Sequence, residues 1–388
     1  MRDREKVRAA LEQTFGHTDG VSLYFAPGRI NVIGEHTDYN GGFVFPGAVD
    51  TGIMAAIRPN GTDRINAYAI DLDERASFGL TEEDAPEEQW ARYIFGLSRE
   101  MQKLGVPVRG FDTAFSGDVP LGAGMSSSAA LESCYARALN ELFGDSKVGD
   151  FDLAIAGQMT EHHYVGVNCG IMDQFASVFG KEGHIMRLDC RSLEYEYFPW
   201  EPEGYRLVLI DTVVKHNLAS GAYNQRRASC EHVVKALREA YPDRKIEYLR
   251  DADLHMLDSI RDKVSAEDAL RAEYVIEEID RVLVVSDALK AGDYPTVGRK
   301  MYQTHWGLSM KYEVSCEELD FLVLEALHSG VTGSRVMGGG FGGCTINLVR
   351  EELYDSFIAH ATKAYEEKFG HAPKVYPVII GDGARRLE

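Results

Sequence analysis

Apolar positions along the chain repeat with two periods. Residues 21–25 alternate weakly and run into the turn Ala26-Pro27-Gly28, and residues 52–58 and 111–116 are further strand-like stretches. The last leads into a glycine-rich segment at 120–128. Beyond it, Leu131, Cys134, Tyr135, Ala138 and Leu142 recur at the spacing of a helix face that Gly144 ends. Strand, glycine loop and helix thus follow one another. Asp150 or Asp152 is placed to cap a further helix running to about Val165. Residues 185–188 and 207–210 predict strands, with 199–204 as a linker between them. Val275, Ile279, Val282 and Leu283 mark a long helix stopping near Gly292. A second glycine loop at 338–343 precedes an alternating strand, 344–349, and a helix carrying Leu353, Phe357, Ala361 and Tyr365. The charged first ten residues are helix-like. Without internal repeats or regular βα alternation, the pattern predicts an α+β fold.

The length, 388 residues, suggests about two domains. Acidic residues number 61 against 41 basic, a net charge of −20, which argues against a nucleic-acid partner. An anionic small molecule stays possible, because a helix N-terminus or a few local cations can hold one. No apolar run is long enough to span a bilayer, and the N-terminus lacks a signal-peptide core, so no membrane association is expected. The six cysteines are scattered, with no C-x-x-C pair. They read as reduced thiols of a cytoplasmic protein rather than as a disulfide framework or zinc site.

Four segments carry candidate chemistry. The loop Pro120-Leu121-Gly122-Ala123-Gly124-Met125-Ser126-Ser127-Ser128 opens an amphipathic helix, whose free N–H groups and positive dipole end attract phosphate. It lacks the Lys of a Walker A loop and the third glycine of a dinucleotide fingerprint; a serine-rich N-cap after an ordinary turn is the alternative. The run 28–42 crowds Arg29, Glu35, His36 and Asp38 between glycines. Such a density of donors and acceptors suits a ligand covered with hydroxyls, with metal binding or a solvated charged turn as alternatives. In the third segment, 161–175, Asp173 sits in an apolar setting that could hold a carboxylate in a cleft. The tandem His162-His163 points its rings about 100° apart on a helix and reads as structural. The fourth, 333–344, holds five glycines in six positions, suited to a tight loop packed beside a ligand or closing over it.

Together these segments resemble the galactokinases of the GHMP small-molecule kinase superfamily, over essentially the whole length. Pro27-Gly28-Arg29, residues 120–130 and residues 338–343 match the superfamily motifs in order. Gly34-Glu35-His36-Thr37-Asp38-Tyr39 and Cys169-Gly170-Ile171-Met172-Asp173-Gln174 match the segments specific to galactokinases. The resemblance implies two α+β domains, assigned here to 1–200 and 201–388, with the active site in the cleft between them. It implies ATP-dependent phosphorylation of α-D-galactose at the anomeric hydroxyl. The alternatives are an N-acetylgalactosamine kinase and a non-catalytic galactose and ATP sensor. Carried over by residue, Asp173 and Arg29 would be catalytic. Glu35, His36, Thr37, Asp38 and Gly170 would bind the sugar, with Tyr223 from the family-like stretch Ala222-Tyr223-Asn224-Gln225-Arg226-Arg227. Gly122, Ala123, Gly124, Met125, Ser126, Ser127 and Ser128 would wrap the nucleotide phosphates, with Ser128 and Glu161 as ligands of magnesium (Mg2+). The family suggests a monomer. The acidic segment 82–89 reads as an exposed loop near the cleft, with no role assigned.

Overall fold

The strand Ser22–Asn31 is buried at every one of its ten positions, which is why its sequence alternates so weakly: neither face meets water. The computed structural model describes residues 4–16, 19–120, 122–200, 202–214 and 219–387. Leu121 of the glycine loop, Glu201 of the expected linker and residues 1–3 of the expected N-terminal helix lie outside them. Ser22–Asn31 belongs to a six-stranded sheet ordered Arg385–Arg386, Ser22–Asn31, Pro46–Pro59, Phe111–Gly117, Arg64–Ala69, Glu74–Gly79. All its pairings are antiparallel except Arg64–Ala69 with Phe111–Gly117. A second sheet is ordered Gly333–Val336, Cys344–Arg350, Tyr205–Asp211, Lys374–Pro377, and a third Phe43–Val44, His184–Asp189, Tyr195–Pro199. With the helices packed against these sheets, the fold is α+β as the pattern predicts.

The helix after the first glycine loop runs Ser127–Phe143 and ends at Gly144, with Leu131, Cys134, Tyr135 and Ala138 buried. The helix expected to run to Val165 starts at Asp150, capped by Gly149, and stays α-helical only to Thr160. Glu161–Val165 is a widened π-turn. The long second-half helix spans Ala266–Lys290, its Ser265 side chain accepting from the Asp268 N–H. No helix among the described residues is long and apolar enough to cross a membrane.

The expected linker does separate two sheets, but the division at 200/201 is crossed. The C-terminal strand returns to pair Arg385 with Phe25 and Arg386 with Tyr24, supplying the edge of the first sheet. One hydrophobic cluster also joins Ile30, Val32, Ile33 and Phe45 to Val282, Leu207, Leu209, Ile346 and Leu348. The candidate residues gather along this shared core.

Candidate active site

At Arg29 the pairing of Ser22–Asn31 with its neighbour shifts register between Pro27 and Arg29. Such irregularities re-aim side chains. The Arg29 N–H donates to the Met125 carbonyl at 3.0 Å, so the first glycine loop lies directly on this strand. The guanidinium, 4% exposed, grips Asp173 with two bonds: Nε to Oδ1 at 2.8 Å and Nη2 to Oδ2 at 2.9 Å. Its Nη1 donates to the Gly124 carbonyl. One fixed cation therefore ties the candidate base to the first glycine loop. Asp173 stands in the first turn of the helix Met172–Phe179.

The loop reaches its helix through left-handed backbone at Gly122, Gly124 and Ser126. The three serines then diverge. Ser126 donates its hydroxyl to Asp173 Oδ2. The Ser128 hydroxyl faces the Glu161 carboxylate and the Tyr93 hydroxyl. Burial lifts Glu161 to about 7 despite the nearby Ser128 hydroxyl, with the Asp173 charge adding to the rise; none of these influences is a cation. Ser127 and Ser128 open onto a cavity of about 840 Å³ whose walls include Trp90, Tyr93, Phe115 and Leu131. Glu87, Glu88 and Gln89 also line it, so part of the acidic segment 82–89 is its rim.

The turn after Ser22–Asn31 carries the candidate sugar residues, all buried. Glu35 accepts from Arg335 Nη1 at 3.0 Å and from the Gly338 N–H at 2.9 Å, both on Oε1. Thr37 donates to the Gly34 and Phe43 carbonyls and so holds the turn closed. His36, in left-handed backbone, donates from Nε2 to the Gly339 carbonyl and accepts from the Tyr39 hydroxyl at Nδ1. Burial lowers its pKa to about 3, which keeps the ring neutral. Both ring nitrogens are thus engaged within the protein, and the imidazole serves the pocket wall beside Tyr223 and Tyr312.

Asp38 differs from its neighbours. Burial raises its carboxyl to about 7, the Asp173 and Glu35 charges add to the rise, and only backbone N–H groups oppose it. A methyl group at Gly170 would lie 2.0 Å from Asp38 Oδ2, so the absent side chain is what lets that carboxylate sit there. The half-buried Tyr223 closes the pocket from the helix Ala219–Ala240. Neighbouring Asn224 and Arg227 fasten that helix to the 166–168 loop.

Asp173, Arg29, Asp38, Gly170, Tyr223 and the loop 122–128 are therefore brought together, with Glu35, His36 and Thr37 as the buried frame. The second glycine loop packs backbone to backbone on the first: a Cβ on Gly338 would meet the Gly124 carbonyl at 3.0 Å. His162 and His163 bond the Cys169 carbonyl and Glu100, as structural residues do. Sequence reasoning assigned no role to Arg335, Tyr312 or Glu132. Arg335 lies in the glycine-rich segment 333–344; the other two carry no spacing signal. Glu132 is buried beside Glu161, with its Oε1 lacking any hydrogen-bond partner.

Three family models match the chain: the galactokinase galactose-binding signature over residues 9–59, the GHMP kinases N terminal domain over 92–181 and the GHMP kinases C terminal over 285–367. The galactokinase of Bacillus subtilis is 38% identical over 390 residues, covering 99% of each chain. That of Chloroflexus aurantiacus is 40% identical, covering 97% of this chain and 95% of its own. The crystal structure of Lactococcus lactis galactokinase complexed with galactose superposes with a TM-score of 0.92 at 32% identity, covering 98% of each chain. The Methanococcus jannaschii mevalonate kinase shares the fold, with a TM-score of 0.65 at 19% identity over 95% of this chain and 100% of its own.

Proposed function

The chain belongs to the galactokinase family of GHMP kinases and is a kinase acting on galactose; we propose that Asp173 and Arg29 carry its phosphoryl transfer. The reaction moves the γ-phosphoryl group of ATP to the anomeric hydroxyl of α-D-galactose, giving galactose 1-phosphate and ADP. The observation that carries the catalytic assignment is the Arg29 guanidinium, bonded at once to Asp173 and to the phosphate loop at Gly124. Asp173 orients the anomeric hydroxyl and takes its proton as the sugar oxygen bonds to phosphorus and the bond to the ADP oxygen breaks. A carboxylate is a weak base, but phosphoryl transfer rests mainly on positioning and electrostatics. Arg29 sets its guanidinium against the carboxylate and holds it in register with the loop.

Asp38 accepts sugar hydroxyls across the open side of Gly170, with Tyr223 packed against the ring, and Glu35, His36 and Thr37 fix the turn. The loop from Gly122 to Ser128, through Ala123, Met125 and Ser127, surrounds the phosphates, and the aromatic cavity beside it receives the base. Ser128 and Glu161 would hold magnesium. A hydroxyl beside a buried carboxylate without a cationic partner suits a hard ion that takes its remaining ligands from phosphate and water. Among the described residues no group of three or more His, Cys, Asp or Glu side chains could hold a metal by itself, which fits such a shared site. When bound, that ion would neutralise phosphate charge. The reading extends, on family resemblance, to a cytoplasmic monomer.

An ADP-release assay with ATP, magnesium and a panel of hexoses tests the reading. Turnover is expected on galactose, with little on glucose, mannose or N-acetylgalactosamine. Asp173→Asn should lower kcat by about 10²–10⁴-fold while galactose still binds by calorimetry. Near-normal kcat in that variant would remove Asp173 as the base, and galactose binding without turnover by the unmodified chain would indicate a sensor.

A further inference from the structure

Ser126 occupies the N-cap position of the helix Ser127–Phe143, since its carbonyl accepts the first helical bond from the Ala130 N–H at 3.1 Å. A serine there normally turns its hydroxyl back to the free N–H groups of the first turn. This one makes no such bond. Its backbone lies at φ 57°, ψ 57°, a region costly for any residue with a side chain, and its hydroxyl is aimed away from the helix onto Asp173 Oδ2. Strained backbone of this kind persists where surrounding structure demands it and clusters at functional sites. The strain and the forgone cap have one visible return: a third fixed donor on the Asp173 carboxylate.

The two Arg29 bonds hold the carboxylate in the plane of the guanidinium. Arg29 is itself held by the Gly124 carbonyl, two residues before Ser126. The same loop therefore reaches Asp173 by two routes, directly through Ser126 and indirectly through Gly124 and Arg29. The neighbouring serines do not share this role, because Ser128 faces Glu161 and Tyr93 and Ser127 lines the cavity.

We propose that Ser126 is a positioning residue for the base, fixing the Asp173 carboxylate against Arg29, rather than only one of the groups that wrap the nucleotide phosphates. The proposal rests on the assignment of Asp173 as base. The loop that receives the phosphates then also sets the attitude of the group that deprotonates the acceptor, so both reacting ends are aligned by one backbone segment.

The test compares steady-state kinetics of Ser126→Ala and Ser126→Gly, alone and with Asp173→Asn. Glycine removes the hydroxyl while relieving the left-handed backbone, so it separates loss of the bond from a folding defect; a thermal melt of each variant checks that both fold. The expected result is a fall in kcat of about 10–100-fold in both single variants with KM for ATP changed less than about 3-fold. Adding Ser126→Gly to Asp173→Asn should cost less than about 3-fold more, because the group being positioned is already gone. A rise in KM for ATP at unchanged kcat would make Ser126 a phosphate ligand only, and a double variant slower by the full product of the single losses would uncouple it from Asp173. Either result overturns the proposal. If Asp173→Asn by itself keeps near-normal kcat, the base assignment falls and takes this inference with it. A large loss in Asp173→Asn beside a normal Ser126→Gly overturns the positioning role alone.

Discussion

Two carboxylates on one turn meet opposite surroundings in this protein. Glu35 is paired with Arg335 at 3.0 Å, whereas Asp38 is buried beside Asp173 and Glu35 with only backbone N–H groups to oppose their charge. The folded protein therefore keeps a proton on Asp38 up to about pH 7, while the unfolded chain releases it near pH 4. Between those values the folded state binds more protons than the unfolded one, so the contribution of this group to stability falls as pH rises. Asp38→Asn should raise the stability of the ligand-free protein at pH 7.5 by roughly 1–3 kcal/mol, with a smaller gain at pH 5, while raising KM for galactose. Thermal melts at the two pH values, together with galactose kinetics, check it; equal gains at both would remove Asp38 from the account. Local sequence was enough to single out Arg29, Asp38 and Asp173 as candidates. That both ring nitrogens of His36 are occupied was not, since its partners are Tyr39 and the distant Gly339 carbonyl.

Among the elements, the short strand Gly333–Val336 does more than pair with Cys344–Arg350. Its Arg335, fully buried, donates to the Val32 carbonyl at 2.9 Å, to the Asn31 carbonyl and to Glu35 Oε1. The second sheet thereby grips the end of the first strand and the turn that follows it. Arg335→Met leaves Glu35 as an uncompensated buried charge and is expected to destabilise the protein by about 3–5 kcal/mol. Arg335→Lys recovers only part of this, because an ammonium cannot reproduce the planar fork. Denaturant midpoints of the two variants are the measure, and a methionine variant as stable as the parent would contradict it. The helices Ser127–Phe143, Ala266–Lys290 and Tyr354–Phe369 and the two glycine loops were readable from periodicity and composition, whereas Ala219–Ala240 and Tyr294–Met310 were not. The helix Gln89–Lys103 is also absent from the sequence reading, although Ala91, Ile94, Phe95, Leu97 and Met101 mark its buried face; its first turns supply Trp90 and Tyr93 to the cavity beside the first glycine loop.

For the whole molecule, the return of the C-terminus to the first sheet decides what can fold alone. A fragment of residues 1–200 lacks the edge strand at 385–386 and exposes Ile30, Val32, Ile33 and Phe45, which the full chain covers with Val282, Leu207 and Ile346. Such a fragment is expected to bind a hydrophobic dye and to show no cooperative melt; a sharp transition would mean that the N-terminal part is independent after all. The sequence by itself determined the α+β class, the two glycine loops, the candidate residues of the turn at 34–39 and the family, because these depend on residue type and short-range order. Tertiary structure decided what each side chain faces: Ser126 turned onto Asp173, Glu35 held by Arg335 from 300 residues away, and the last strand closing the first sheet. Periodicity tells which face of an element is buried, but the partner met there is set by how distant segments pack, and local spacing carries no record of that.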